Sequence, residues 1–235
     1  MRKLFAEFVG TYFATLVTAG LEVVAVLKPG HIDRSVKAAG PSLVAAAMIY
    51  ALGDVSGAHF NPVVTVTFAV RRDFPARLVA PYWLMQFVGA AAAALTLRSL
   101  FGTVGHVGAN RLEGVTAGQG FVIEIAITTL LVIVTLNAAH EHSLIGTDAA
   151  LAVAATMAAC RMVGGELTTA SMNPARSVGP ALVSRYFDNI WVFLAGPTVG
   201  AMVALAVTVA IRPHRNEDEH KAAQGEGADA TASEA

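Results

Sequence analysis

The chain contains few charged residues: only 14% of its 235 residues are Asp, Glu, Lys or Arg, whereas 55% are hydrophobic. Soluble domains average about 25% charged residues, so this deficit indicates that lipid surrounds much of the chain. The net charge is −1, which gives no basis for nucleic-acid binding. Cys160 is the only cysteine, which excludes an intrachain disulfide.

The sequence also lacks the patterns that are typical of enzymes. It has no nucleotide-binding motif, no cluster of metal ligands and no catalytic-triad spacing. His59 has no second ligand at a suitable spacing, so it is not predicted to bind a metal. We therefore expect no enzyme activity, no metal and no cofactor.

Apolar segments dominate what is present. A membrane-spanning helix needs about 20 mostly apolar residues. Six segments meet or approach this length: 4–27, 40–54, 79–101, 119–139, 148–164 and 189–211. The second and fifth are short and must extend into flanking residues. Two further stretches, 62–71 and 174–185, are too short to span. The sequence therefore predicts an all-α membrane protein with six transmembrane helices and two half-helices.

The two halves of the chain have matching segments. Residues 6–11 (AEFVGT) are answered by residues 123–128 (IEIAIT), and Gly89-Ala90 by Gly200-Ala201. Because each half has three spanning helices, the second half must begin on the opposite face of the membrane, so the repeat is inverted. We predict one transmembrane domain over 1–211, with repeats at about 1–105 and 115–211. Residues 212–235 have almost no large apolar side chain and are expected to form a disordered tail.

Each half contains an Asn-Pro pair where a half-helix is expected to begin. Asn is a favoured N-cap, and Pro is readily accepted at the first helical position. The pairs are Asn61-Pro62 and Asn173-Pro174. Half-helices that enter from opposite faces meet near the midplane, where such backbone is tolerated only around water or protein. The pattern favours a pore or substrate site built from two helix N-termini.

With this repeat, the two motifs resemble those of the aquaporin (major intrinsic protein) family. The likeness covers essentially the whole chain except the tail, and it includes the matched carboxylates Glu7 and Glu124. It implies an aquaporin-like inverted repeat in which 1–211 is a single channel domain. The residues that it places at the pore are Asn61, Pro62, Val63, Asn173, Pro174 and Ala175. Val63 replaces the family's alanine, and we expect it to shift the half-helix or narrow the lumen slightly.

A pore of this kind has a physical means of excluding protons and cations. Two facing helix N-termini place about half a positive charge each on the pore axis. By resemblance, Asn61 and Asn173 offer amide N–H groups to passing water, which then cannot easily donate along the file. The alternative interpretation is that each Asn is simply a helix cap.

The resemblance also implies a selectivity ring on the outer side of the asparagines. Counting from the two Asn-Pro pairs gives Pro41 (or its neighbour Ser42), Arg161, Ala170 and Arg176. This ring lacks the aromatic wall usual in water channels and holds two cationic side chains. Arg161 either faces the pore or turns toward Glu166 or a neighbouring loop, since adjacent unpaired arginines repel. Glu166 is also a candidate partner of Arg176.

Three polar residues are expected to support the re-entrant loops. By resemblance, Glu7 and Glu124 bind backbone groups of these loops, as buried structural carboxylates. His59 is interpreted as a hydrogen-bonding residue that packs within the first loop. Glu22 also lies in a predicted membrane helix but receives no role from the resemblance.

The leading functional hypothesis is passive conduction of water and small uncharged solutes with exclusion of protons and cations. The alternatives are a facilitator for glycerol, urea, ammonia or neutral metalloid hydroxides, an ion-coupled secondary transporter, and a closed protein used in assembly. The side of the membrane that carries both termini has slightly more Lys and Arg than the other side, which favours cytoplasmic termini for this multi-pass cell-membrane protein. The resemblance implies a homotetramer with one pore per subunit.

Overall fold

The computed structural model describes residues 1–138, 147–212 and 217–225, and all regular structure in these ranges is helical. Nine α-helices follow one another in the described residues: α1 (Arg2–Leu27), α2 (Arg34–Ser56), α3 (Pro62–Val70), α4 (Val79–Phe101), α5 (Ala117–Ala138), α6 (Thr147–Thr168), α7 (Pro174–Ser184), α8 (Ile190–Ile211) and α9 (Glu217–Gln224). A 3-10 turn at Ala76–Leu78 precedes α4, and the segment Val104–Gly108, with positive φ at Gly105, His106 and Val107, follows it.

Six of these helices are long and apolar enough to cross a membrane, namely α1, α2, α4, α5, α6 and α8. The helices α3 and α7 begin at Pro62 and Pro174 and are too short to span. The predicted fold class, six transmembrane helices and two half-helices, is therefore confirmed. The second and fifth spans extend to Arg34 and Thr168, as their short apolar segments required.

The extension of α2 begins at a capped turn. The Asp33 carboxylate accepts hydrogen bonds from the Val36 N–H at 3.0 Å and the Ser35 hydroxyl at 2.6 Å. These bonds stabilise the charged form and lower the pKa of Asp33 below its usual value. The added turns bring Lys37 into the helix, one turn before Pro41, and both residues contribute to the site described below.

Helix α1 crosses α4 closely, and α5 crosses α8 in the same way, which reflects the repeat. At both crossings a glycine allows the contact. A Cβ built on Gly89 would lie 2.6 Å from the Phe8 carbonyl oxygen, and one on Gly200 would lie 2.6 Å from the Ile125 carbonyl oxygen. Small residues at such points let membrane helices approach backbone to backbone.

Gly89→Val should destabilise the protein, because the new side chain would overlap the α1 backbone. Overpacking of this kind costs about 1–3 kcal/mol, which we expect to lower the melting temperature in detergent. Gly165→Ala is the matched control, since a Cβ on Gly165 would meet nothing within 4 Å. Equal melting of the Gly89→Val variant and the wild type would contradict the assigned contact.

Helix α9 corrects the expectation of a disordered tail. Residues Glu217–Gln224 are helical, and Ala222 and Ala223 are only 4% and 2% exposed. The prediction relied on the lack of large apolar residues, but alanine has high helix propensity and fits a recess that a larger side chain would not enter. The remaining parts of the predicted tail, 213–216 and 226–235, lie outside the described residues.

Candidate pore and selectivity ring

The N-terminal tips of the half-helices α3 and α7 meet through their two asparagines. The Asn61 side-chain oxygen caps α3 by accepting from the Val63 N–H at 3.1 Å, and Asn173 caps α7 through the Ala175 N–H at 3.0 Å. Each amide also donates across the repeat, Asn61 to the Met172 carbonyl at 2.8 Å and Asn173 to the Phe60 carbonyl at 2.9 Å. One N–H of each amide then remains for a molecule in the pore.

A cavity of about 130 Å³ begins at these tips. Asn61 and Asn173 both line it, and Ala222 and Ala223 of α9 line it as well. Its walls are mainly apolar, with contributions from Ile49, Val64, Phe68, Leu131, Val153 and Met157. Four polar residues of the lining, His59, Asn61, Ser171 and Asn173, lie at or just before the starts of the half-helices, and Thr135 of α5 is a fifth.

The residues that follow the two asparagines pack away from this cavity. Val63 is 2% exposed and belongs to a buried apolar cluster with Val132 and Leu136. Ala175 is fully buried. Neither side chain belongs to the cavity lining given by the described residues. The extra volume of Val63 thus enters the protein interior, and the narrowing of the lumen that we expected does not occur at this cavity.

Glu7 of α1 holds the first re-entrant loop. One carboxylate oxygen accepts from the Ser56 hydroxyl at 2.8 Å and the His59 N–H at 3.0 Å. The other accepts from the Phe60 N–H at 2.8 Å and the Gln86 amide at 2.7 Å. Four donors converge on one fully buried carboxylate, which satisfies the loop backbone just before Asn61.

Glu124 of α5 does the same for the second loop. It accepts from the Thr168 hydroxyl at 2.7 Å and from the backbone N–H groups of Ser171 and Met172, both at 2.9 Å. Glu124 is fully buried as well. Both carboxylates thus stand where the resemblance puts them, and each bonds backbone within four residues of its asparagine.

His59 lies within the first loop against a cluster of rings. Its ring stacks on Phe68 with a centroid distance of 5.0 Å, and Phe74 and Tyr82 contact it from other sides. Nε2 lies 3.0 Å from the Ala223 carbonyl oxygen, which can only accept, so Nε2 bears the proton. Nδ1 is then the acceptor and lies 3.2 Å from the Thr65 hydroxyl. The contact with α9 was not foreseen.

All four predicted members of the selectivity ring are buried: Pro41, Arg161, Ala170 and Arg176. Arg176 of α7 donates from Nη1 to the Asn110 side-chain oxygen, which also accepts from the Ser177 hydroxyl at 2.9 Å. Nε and Nη2 of Arg176 have no partner among the described residues. Glu166 is not its partner. The Glu166 carboxylate lies instead 3.7 Å from Arg34 Nε and 4.0 Å from Lys37 Nζ.

Arg161 of α6 does not turn toward Glu166 either. Its Nε donates to the Lys37 carbonyl on α2 at 3.1 Å, and its Nη1 donates to the Ala170 carbonyl at 3.0 Å. No carboxylate lies within ion-pair distance of Arg161 or Arg176 in the described part of the chain. Arg161 and Arg176 are therefore two buried guanidinium groups whose described partners are neutral oxygens, and they make this part of the protein electropositive.

Glu22 is explained by two cations that approach it, Lys37 from helix α2 and Arg111 from the segment before α5. Its carboxylate lies 3.3 Å from Lys37 Nζ and 3.3 Å from Arg111 Nη2, and the Glu22 side chain is only 2% exposed. Lys37 also supplies the carbonyl to which Arg161 donates. Glu22 is thus a structural carboxylate that ties α1 to α2 and to the segment before α5.

Two polar residues of the site, Gln86 and Asn110, were not predicted from the sequence. Gln86 of α4 is buried and donates to Glu7 and to the Thr65 hydroxyl at 3.0 Å. Asn110 precedes α5 and links Arg176 to Thr169, to which its amide donates at 2.6 Å. A buried amide inside an apolar helix would have been a usable signal for Gln86. Asn110 lies in a polar loop that offers no periodicity.

Comparison with known proteins agrees with this geometry. Residues 1–208 match the family model described as "Major intrinsic protein". Aquaporin NIP1-1 of Zea mays is 42% identical over 202 residues, which cover 86% of this chain and 72% of that protein. Aquaporin NIP2-1 of Oryza sativa subsp. japonica is 34% identical, over 86% of this chain and 67% of that protein.

The fold is also that of a solved channel. The X-ray structure of the aquaglyceroporin from Plasmodium falciparum superposes with a TM-score of 0.80 and covers 90% of this chain and 97% of that chain. Its sequence identity is 20%, so this likeness shows the architecture alone. The family predicted from the paired motifs is confirmed by the family model and the sequence relatives. The chain belongs to the major intrinsic protein family.

Proposed function

We propose that this protein is a passive membrane channel that conducts water and small uncharged solutes and excludes protons and cations. The observation that supports it best is the pair of cross-bonded asparagines, held between two carboxylate-anchored loops and lining one cavity. Membership of the family and the names of the relatives favour the same function. No enzymatic role is proposed.

Exclusion of protons rests on the chemistry of the two tips. Each asparagine oxygen is occupied as a helix cap, so the amides present donors and not acceptors to the pore. A water molecule between them accepts from both and cannot pass a proton along the file. Cations meet the positive ends of α3 and α7 and, further out, Arg161 and Arg176. We propose Pro41, Arg161, Ala170 and Arg176 as the selectivity ring.

A facilitator for glycerol, urea, ammonia or neutral metalloid hydroxides is the second candidate. It is favoured by the selectivity ring, in which Pro41 and Ala170 stand with two arginines and no aromatic side chain. An ion-coupled transporter fits less well, because the buried carboxylates in the spans are already bonded. Glu7 and Glu124 bind the loops, and Glu22 pairs with two cations.

The setting of the channel is also proposed. Six spans place both chain ends on one side, which we assign to the cytoplasm of a cell membrane from the Lys and Arg distribution. A homotetramer with one pore per subunit is proposed from the family. The partners are then the lipid bilayer, neighbouring copies and the solute, with no nucleic acid.

The experiment that tests this function is stopped-flow light scattering on proteoliposomes made with the full chain. An impermeant osmolyte should shrink them faster than protein-free vesicles if the protein conducts water. Re-swelling in glycerol or urea measures the solute pathway separately. Shrinkage at the protein-free rate, or uptake that needs a proton or sodium gradient, would overturn the proposal.

A further inference from the structure

In helix α2, the Lys37 carbonyl has no backbone N–H to accept from within the helix. In a regular α-helix the carbonyl of Lys37 accepts from the N–H of the residue four positions later. That residue is Pro41, which has no N–H. Buried carbonyls are rarely left without a donor, so this position needs a partner from elsewhere.

Arg161 supplies that partner. Its Nε donates to the Lys37 carbonyl at 3.1 Å, and its Nη1 donates to the Ala170 carbonyl at 3.0 Å. The side chain therefore leaves α6 and bridges α2 to the second re-entrant loop. Both ends of this bridge lie at the selectivity ring, since Ala170 is a ring member and Lys37 is one turn before Pro41. Arg161 is only 6% exposed, so its side chain is enclosed between α2 and the second re-entrant loop.

We infer that Pro41 and Arg161 form a coupled pair that sets the size limit of the channel. Because Pro41 lacks an N–H, the Lys37 carbonyl is available to accept from Arg161. The guanidinium group is therefore held in an extended position between the Lys37 and Ala170 carbonyls. Held there, Arg161 occupies space at the ring, so that water passes more readily than a solute as large as glycerol. The inference rests on the proposed channel function and identifies Pro41 as a residue that determines specificity through Arg161.

The test compares glycerol and water permeability in proteoliposomes that contain the full-length wild type, Arg161→Ala, Pro41→Ala and the double variant. Arg161→Ala should raise glycerol permeability about tenfold, as expected when the bonds that hold a blocking group are lost. Pro41→Ala restores an N–H for the Lys37 carbonyl, so it should release Arg161 and raise glycerol permeability in the same direction. In the Arg161→Ala background, Pro41→Ala should add little.

Additive effects of the two substitutions would overturn the coupling, because Pro41 would then act only as a wall of the ring. Arg161→Lys separates charge from shape: lysine keeps the cation but cannot donate to both carbonyls as a fork, so glycerol permeability should still rise. Arg98→Ala is the matched control. Arg98 also donates to a carbonyl, that of Val183 at 2.6 Å, but outside the ring, so it should behave as wild type.

Failure of this inference is distinguishable from failure of the channel function. A wild type that conducts no water above the protein-free rate refutes the function. A wild type that conducts water, with variants whose glycerol permeability is unchanged, refutes only the role of the pair.

A second inference comes from α9. Ala222 and Ala223 line the cavity that begins at the asparagines, and His59 donates to the Ala223 carbonyl at 3.0 Å. The backbone of Ala223 also touches Gly57 so closely that no Cβ would fit there. Gly225, just after α9, continues the contact, since a Cβ on Gly225 would lie 2.7 Å from the Ser56 N. The inner end of the cavity is therefore built from α9 as well as from the spanning helices.

The geometry points to α9 as an autoinhibitory segment that covers the inner mouth of the pore. The occupant is a segment of this same chain. Its described contacts are one hydrogen bond from His59, the two buried alanines and the close backbone approaches at Gly57 and Gly225, a small contact that can open and close. Undocking would remove Ala222 and Ala223 from the cavity and widen its exit. The channel would then have a low and a high permeability state.

The full-length double variant Ala222→Asp/Ala223→Asp tests this inference, because two buried charges should expel α9. Water permeability per folded protein should rise about threefold or more, and backbone amides of 220–225 should exchange hydrogen faster than in the wild type. The matched control is His220→Asp/Lys221→Asp, which alters two exposed residues of the same helix and should match wild type. Faster exchange with unchanged permeability would overturn the inhibitory role, and unchanged exchange would overturn the docking.

Discussion

Glu124→Leu should prevent stable folding of the second half of the pore. The substitution leaves the N–H groups of Ser171 and Met172 without their acceptor in a fully buried site. An unsatisfied buried donor costs about 1–3 kcal/mol, so the pair costs about 2–6 kcal/mol before any relaxation. Whole domains are stable by only about 5–15 kcal/mol. Thermal unfolding in detergent should show a large loss, and little folded protein should be recovered.

Glu124→Gln should have a smaller effect in the same direction. The amide keeps one acceptor oxygen but turns an NH₂ group toward one of the donors. Glu113→Leu is the control, because Glu113 is a half-exposed carboxylate that pairs with Arg111 at the surface. Exposed ion pairs contribute about 0–1 kcal/mol, so this variant should melt near the wild type. A Glu124→Leu protein that melts like Glu113→Leu would refute the assigned role.

Features that depend on local pattern were predictable from sequence. The six spans follow from apolar length, and the half-helix starts follow from Asn-Pro at matched positions. The repeat matched Glu7 with Glu124, and the family resemblance implied that both bind the re-entrant loops. These features need no knowledge of which segments touch across the molecule.

Features that depend on tertiary contacts were not predictable. The partner of Arg161 is a backbone carbonyl, which no side-chain pattern identifies, and it becomes available only because α2 extends through Pro41. Charge alone pointed to Glu166, but that carboxylate faces Arg34 and Lys37. The docking of α9 was missed because its buried side chains are two alanines, which do not distinguish a packed helix from a disordered tail.

Arg176→Ala should make the channel permeable to protons and small cations. Two unit charges 5 Å apart interact by about 3 kcal/mol at an effective dielectric of 20, which corresponds to a change in rate on the order of a hundredfold. Water in the pore screens part of this, so we expect at least a tenfold rise in proton flux. A pH-sensitive dye inside proteoliposomes, with the membrane potential clamped by valinomycin, measures that flux.

The arginine pair makes this prediction specific to the present chain. Arg161 keeps one positive charge at the ring in the Arg176→Ala variant, so cation exclusion should be weakened and not abolished. The double variant Arg161→Ala/Arg176→Ala should therefore leak more than either single variant, with the facing N-termini of α3 and α7 as the remaining barrier. Arg176→Lys preserves the positive charge, so its proton flux should stay at the wild-type level. A proton flux in Arg176→Ala equal to that of Arg176→Lys would show that the positive charge at this position does not exclude cations.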